Sequence, residues 1–328
     1  MRILSVVLAF FLAALAVWLT PQHLITAGLM DASLTSHTAL TRHVAELEVA
    51  AARVIFAALA AALAIGAVFW PKIAASRPYR RLMEKPIAMP PGQDRALRQW
   101  RDPEALILAG ALVVLLVYLA IGARFIPANA LWVFNKEDGV LETVPVFFLL
   151  GASVLSALIA LRIGRGHPRF ACHLVLALLF FMMAGEEISW GQRIFGFGTP
   201  EVMKEVNVQS ETNLHNMFGY LFDHLFILGF LTWAALIPLA WHLSATARRV
   251  LLRLGLPVPS AGLAVAMTLS GLMLDPLVYA VIDPMPTLRL AEIREFLSEF
   301  AFLLMMVQAA RQFRQFRQFG AGGLAVTT

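Results

Sequence analysis

Three glutamates spaced along one apolar segment are the first residues in this chain that could do chemistry. Glu292, Glu295 and Glu299 follow i, i+3, i+7 spacing, so they share one face if the segment is helical. Phe296 and Phe300 fall on other faces of the same helix. Carboxylates gathered on one face can transfer protons, hold cations or bind a metal. The spacing therefore predicts an acidic helix face near the end of the chain.

How deep these acids lie within apolar sequence is more informative than how many of them there are. Glu299 lies twelve residues before Arg311, which is about 18 Å along a helix. Asp275 and Asp223 also lie inside apolar stretches. An ionised carboxylate at such depth costs at least about 2.5–3.5 kcal/mol, so it normally faces protein or a water-filled cavity. We therefore expect a shared polar cavity that opens to the outer side of a membrane.

Four polar regions supply the predicted site: residues 135–142, 185–193, 207–216 and 275–299. Glu186 is preferred to Glu187 because a helix places it on the same face as Ser189, Trp190 and Arg193. The predicted catalytic residues are Glu186, Arg193, His215, Asp275 and Glu299. The predicted substrate-binding residues are Glu142, Trp190, Gln192, Asn213 and Arg294.

Two further interpretations of the same residues stay open. His215, His224 and Glu186 could hold a divalent metal, because imidazole and carboxylate suit zinc, iron or manganese. No HxxH or HxxxH spacing supports that metal site, and an ordinary interfacial histidine is the alternative. The acids could instead pair with arginines in a network that only holds helices together. The candidates for that network are Arg53, Arg193, Arg289 and Arg294.

The elements that must position these residues are long apolar segments. The chain has 328 residues, is 59% hydrophobic and has a mean hydropathy of +0.74. Apolar stretches of roughly 20 residues predict membrane-spanning helices. We expect an all-α, polytopic bundle with one membrane domain over 1–310 and a basic tail over 311–328. Eight spans are predicted, at about 3–19, 49–70, 104–123, 142–162, 169–189, 217–241, 261–282 and 291–310. The first span could alternatively be a signal peptide.

The charges of the connecting segments predict how the bundle is oriented. With both termini in the cytoplasm, 18 of the 26 Lys and Arg residues face inward, and 17 of the 21 acidic residues do not. Basic loops mark the cytoplasmic side of membrane proteins. The pI of about 9.8 therefore reflects orientation and suits anionic lipid headgroups, so nucleic acid is not an expected partner. The single cysteine, Cys172, excludes an internal disulfide and a cysteine-rich metal site.

The strings AGEEISWGQRIFG and ETNLHN, with KEDGVLE upstream, resemble a family of bacterial integral membrane proteins without an assigned activity. The resemblance covers residues 130–305 and implies a multi-pass protein of the bacterial inner membrane. A fainter similarity is to the alkaline ceramidase-like membrane hydrolases, through Glu137, Asp138 and Glu142. The final span has no histidine, so the zinc triad of that group cannot be assembled here. That similarity is a hint about the type of site only.

Three classes of function remain open at this point. The outer cluster of carboxylates, amides, an arginine and a tryptophan favours an enzyme acting on a lipid or lipid-linked substrate. The deep acids Asp275 and Glu299 are typical of a proton- or cation-coupled transporter. Outer polar loops also suit a non-catalytic scaffold or assembly factor that binds a membrane partner protein. The sequence names neither the substrate nor a cofactor beyond the potential divalent metal.

Overall fold

The computed structural model describes residues 2–30, 34–37, 39–84, 96–127, 139–165, 167–204, 207, 211–214, 221–282 and 289–323. The prediction of an all-α chain is confirmed in these ranges. A 3₁₀ turn, Ser189–Gly191, joins α7 to α8, and a π turn, Thr232–Leu236, joins α10 to α11. The helices are α1 Arg2–Trp18, α2 Pro21–Thr26, α3 Ala39–Ala75, α4 Arg77–Glu84, α5 Pro103–Phe125, α6 Val140–Ile163, α7 Pro168–Glu187, α8 Gln192–Phe195, α9 Glu201–Lys204, α10 Leu221–Leu231, α11 Ile237–Leu243, α12 Ala245–Leu254, α13 Ala261–Gly271, α14 Asp275–Val281 and α15 Leu290–Gly323.

Five helical segments in the described residues are long and apolar enough to cross a bilayer, and they match the second to sixth predicted spans. Large apolar side chains such as Phe147, Leu161 and Val175 are exposed on them. Lipid normally covers apolar surface of this extent in a membrane protein. The total of eight spans stays a prediction. The five segments are Ala39–Ala75, Pro103–Ile121, Val140–Ile163, Pro168–Glu187 and Phe222–Leu243.

The last two predicted spans differ from the observed helices. The segment 261–282 is not one continuous helix, because α13 ends at Gly271 and α14 begins at Asp275. Leu274 between them is extended, with φ −88° and ψ 143°. Pro276 lacks the amide N–H that would continue a helix, so it suits the first turn of α14. The eighth predicted span, 291–310, continues as helix to Gly323, so the predicted tail begins as part of α15.

The chain forms two compact units, residues 1–86 with 196–226 and residues 87–195 with 227–328. In the first unit α1 packs against α3, and Arg53 Nε donates a hydrogen bond of 3.1 Å to the Ala16 carbonyl. The expectation of a single membrane domain stays a prediction. The small core of this unit contains Leu24, Leu34, Ala45 and Val49.

The second unit is built around α15, which packs against α5, α6 and α13, while α6 also packs against α7. Small residues let these helices approach closely. A Cβ atom added to Gly151 of α6 would lie 3.0 Å from Leu303 Cδ1 of α15. Ser153 Oγ of α6 donates a 2.8 Å hydrogen bond to the Ala177 carbonyl of α7. These contacts hold α15 against α6 and α6 against α7.

A buried polar clamp fixes the middle of α15. Asp102 Oδ1 accepts from the Ala105 amide and caps α5, while Ser260 Oγ caps α13 and donates to Asp102 Oδ2. Gln308 Oε1 accepts a 3.0 Å hydrogen bond from the Ser260 amide, and these three residues are at most 2% exposed. The clamp joins the first turns of two helices to the middle of a third.

Candidate active site

Two carboxyl groups from different helices meet inside the second unit. Glu299 of α15 is 1% exposed, and its carboxyl group lies within hydrogen-bonding reach of that of Glu187, which is half-buried at the end of α7. A carboxylate can only accept hydrogen bonds, so a hydrogen bond between the two groups requires one of them to carry a proton. Glu299 Oε2 is buried and has no hydrogen-bond partner among the described residues. The pair thus combines two adjacent carboxyl groups with one buried, unpaired carboxyl oxygen.

Four more glutamates lie close enough to interact electrostatically with this pair. Glu292 and Glu295 precede Glu299 on the same face of α15, as their spacing predicts. Glu142 comes from the first turn of α6, and Glu186 directly precedes Glu187. The acidic cluster therefore forms where the start of α6, the end of α7 and the start of α15 meet.

Arginines neutralise part of this acidic cluster. Arg289 donates hydrogen bonds to Glu142 and to Glu292, which ties the start of α15 to the start of α6. Arg294 is 5% exposed and lies 3.9 Å from Glu295 Oε1. The network of arginines and acids that only holds helices together, considered above as an alternative, therefore accounts for Glu142 and Glu292. Glu187 and Glu299 instead contact each other, which is the arrangement that suits acid–base chemistry.

A strained turn begins two residues after Glu187. Ser189, Trp190 and Gly191 have φ values of 46°, 53° and 79°, so three consecutive residues are left-handed. Only Gly191 adopts this conformation without cost, and non-glycine residues held there cost about 1–3 kcal/mol each. Ser189 is fully buried. Backbone strain of this kind concentrates at functional sites and aims side chains that a regular helix would aim elsewhere.

The turn positions the indole of Trp190 over the end of α7. Trp190 Nε1 donates a 2.7 Å hydrogen bond to Glu186 Oε1. A Cβ atom on Gly185 would lie 2.8 Å from Trp190 Cζ3, so only glycine leaves room for the ring. Trp190 remains 42% exposed. It therefore offers a flat apolar surface next to the carboxyl pair.

A layer of aromatic rings closes the bundle beyond Glu299. The Phe302 ring lies one helical turn further along α15, with its centroid 5.2 Å from Phe180, 5.2 Å from Phe230 and 6.0 Å from Trp233. Each of the four side chains is at most 9% exposed. About 14 Å of α15, at 1.5 Å per residue, separate Glu299 from Gln308 in the buried clamp. The acidic site and the clamp are thus separated by packed apolar side chains.

Several predicted site residues fall outside this arrangement or outside the described residues. His215 lies outside the described residues, and the side chains of Arg193 in α8 and Asp275 in α14 do too. Asn213 is 1% exposed and its amide donates to Glu211, so it closes a loop of the first unit. Gln192 is half-buried at the start of α8. The roles predicted for these residues stay predictions.

Glu187 is the site residue that sequence reasoning passed over. Adjacent residues on a helix point about 100° apart, so only one of two neighbouring glutamates was expected to face the site. The structure brings both into the cluster, because Glu186 holds Trp190 while Glu187 meets Glu299. The pairing depends on how α7 packs near α15, which sequence spacing does not contain.

Two of the predicted metal ligands, His224 and Glu186, lie among the described residues, and His224 contacts a side chain outside the predicted set. His224 Nδ1 lies 2.6 Å from Glu48 Oε2, within the first unit. Among the described residues, no group of three or more His, Cys, Asp or Glu side chains is placed to hold a metal ion. Because His215 lies outside those residues, the metal site stays a prediction.

No protein-family profile, curated protein sequence or solved structure matches this chain. The assignment of the site therefore depends on the geometry of its own residues.

Proposed function

We propose that this chain is a membrane-embedded enzyme that acts on a lipid or lipid-linked substrate, with Glu187 and Glu299 as its acid–base pair. The observation that carries the proposal is the close approach of these two carboxyl groups, with Glu299 Oε2 buried and without a hydrogen-bond partner among the described residues. Buried groups in a purely structural role normally have all their polar atoms paired. A carboxyl oxygen without a hydrogen-bond partner, next to a second carboxyl group, suits a residue that takes a proton from a substrate or gives one to it.

The neighbouring residues support specific roles in such a reaction. The carboxyl group that carries the proton donates it to a leaving group, while the other accepts a proton from the attacking hydroxyl or water. Positioned acid–base groups of this kind contribute about 10²–10⁴-fold in rate. Trp190 provides a flat surface for an apolar or ring-shaped part of the substrate. Arg294 would hold an anionic headgroup.

The test compares the wild-type protein with Glu299→Gln, which removes the acid while keeping the shape of the side chain. Purified protein in detergent is incubated with total bacterial lipid extract, and the lipid pool is followed by mass spectrometry. We expect at least one lipid species to be consumed by the wild type and to persist with Glu299→Gln. Glu201→Gln is the matched control, since Glu201 lies on the exposed helix α9 and pairs with Lys204. Consumption by all three proteins, or by none, contradicts the proposal.

Proton- or cation-coupled transport is the second candidate function. Its support is the depth of Glu299, a carboxyl group buried in an apolar helix. The aromatic layer around Phe302 argues against a path that continues past Glu299. Proteoliposomes with an imposed pH gradient and an internal pH dye distinguish the two functions. Proton flux that disappears in Glu299→Gln supports transport, and its absence in the wild type supports the enzyme.

We also propose the finer topology: eight spans, both termini in the cytoplasm, and residence in the bacterial inner membrane. The charge asymmetry of the loops supports this arrangement. In this orientation the acidic cluster faces the periplasmic side and membrane lipids surround the apolar helices. A non-catalytic scaffold that binds a partner protein would be favoured if neither turnover nor flux is found.

A further inference from the structure

A cavity of about 300 Å³ lies in the second unit, at the end of the bundle away from the acidic cluster. Its walls are mainly aliphatic, from residues such as Ile159, Leu252 and Val258. Its polar lining comes from His167, Arg169, His173, Trp241 and Gln312, and contains no carboxylate. A cavity that joins apolar walls to cationic and hydrogen-bonding groups suits a ligand with an anionic group and an aliphatic part.

The cationic side chain in this cavity is held in place by the backbone around it. Arg169 Nε donates a 3.0 Å hydrogen bond to the Leu252 carbonyl in the last turn of α12. Gly255 ends α12 with a φ of +70°, and a Cβ atom there would lie 2.5 Å from Arg169 Cγ. The glycine therefore leaves space for the stem of the arginine. Arg169 is fixed by one hydrogen bond and keeps its remaining N–H donors for a ligand.

Two of the residues that line this cavity each carry a buried polar atom with no hydrogen-bond partner among the described residues. They are Trp241 Nε1, on a side chain that is 1% exposed, and His173 Nδ1, on one that is 6% exposed. Arg248 lies over the Trp241 ring, 5.8 Å from its centroid, and holds the indole in position. Buried polar groups in proteins are normally satisfied. The indole and guanidinium groups are donors only, so a ligand that pairs with them must supply acceptor oxygens.

We propose that this cavity binds the phosphate group of an anionic membrane phospholipid, with part of an acyl chain along its aliphatic walls. The phosphate oxygens accept from Arg169 and from Trp241 Nε1. The mainly apolar lining favours a lipid over free phosphate, and sequence places this end of the bundle at the cytoplasmic face, where basic loops attract anionic lipid. The site is separate from the acidic cluster, so the inference goes beyond the proposed enzymatic function.

Lipid binding to the purified full-length protein tests the proposal. Native mass spectrometry counts bound phosphatidylglycerol and phosphatidylcholine over a titration of each lipid. We expect phosphatidylglycerol to bind more tightly, and Arg169→Gln to weaken it about tenfold through the loss of a charge-assisted hydrogen bond. Trp241→Phe, which keeps an aromatic ring but removes the N–H, should weaken it several-fold. Arg165→Gln, in the exposed turn before α7, is the matched control and should bind as the wild type does.

Three results would overturn the lipid site. Equal binding of both lipids by the wild type removes the anion preference. An equal loss of phosphatidylglycerol binding in Arg165→Gln and Arg169→Gln would show that the binding depends only on surface charge. Displacement of phosphatidylglycerol by inorganic phosphate alone shows that the cavity takes free phosphate instead of lipid. Arg169→Lys keeps the charge without the planar guanidinium, and intermediate binding by that variant separates the proposed contact from misfolding.

Discussion

Replacing Asp102 by alanine tests the packing that holds α15 in place. The variant removes the cap of α5, which costs about 1 kcal/mol, typical of helix N-caps. It also takes the acceptor from the buried Ser260 hydroxyl, and an unsatisfied buried donor costs about 1–3 kcal/mol. The hydrogen bond from Gln308 to Asp102 is long, at 3.4 Å, so we assign it no separate cost. The expected loss in the free energy of unfolding is therefore about 2–4 kcal/mol.

Asp102→Asn is the matched comparison, because its side-chain oxygen can still accept from Ala105 and its shape is unchanged. We expect it to lose less than half of what Asp102→Ala loses. The measurement is chemical denaturation in detergent micelles, followed by far-ultraviolet circular dichroism for the wild type and both variants. An unfolding free energy for Asp102→Ala within about 0.5 kcal/mol of the wild type, the range of neutral surface changes, would refute the clamp.

Two further predictions concern the flat indole surface of Trp190, called here the indole platform, and the orientation of the chain in the membrane. Gly185→Ala places a methyl group against Trp190 and should weaken turnover of the lipid that the wild type consumes, while the unfolding free energy stays within about 1 kcal/mol; unchanged turnover would rule out the platform. With Cys172→Ser as background, a membrane-impermeant maleimide added to intact cells should label Glu201→Cys and leave Arg101→Cys unlabelled; the reverse pattern would invert the topology.

Much of the fold could be predicted because bilayer-spanning helices carry their signal locally. The length of the apolar segments alone placed most ends of the second to sixth spans to within a few residues. The break between α13 and α14 was missed because residues 261–282 are mostly apolar, and the proline that starts α14 decides the local geometry. The continuation of α15 beyond residue 310 was missed because the residues after 310 were assigned to a basic tail separate from the last span.

The candidate site could be predicted in part for the same reason. The shared face of Glu292, Glu295 and Glu299 follows from helical periodicity, which one sequence displays. The choice of Glu187 as the partner of Glu299, and of Arg289 as the partner of Glu142, depends on contacts between helices far apart in sequence. The cationic cavity around Arg169 was not foreseen, because its histidines and arginine were interpreted only as inner-loop residues.

Infrared spectroscopy of the purified protein tests the central claim, a proton shared between the carboxyl groups of Glu187 and Glu299. At neutral pH the wild type should show the carbonyl stretching band of a protonated carboxyl group. The band should be lost in Glu299→Gln and equally in Glu187→Gln, because each variant gives the remaining carboxylate an amide donor in place of the shared proton. Glu201→Gln should retain it. A wild-type spectrum without the band, or a band that survives both substitutions, would contradict the account.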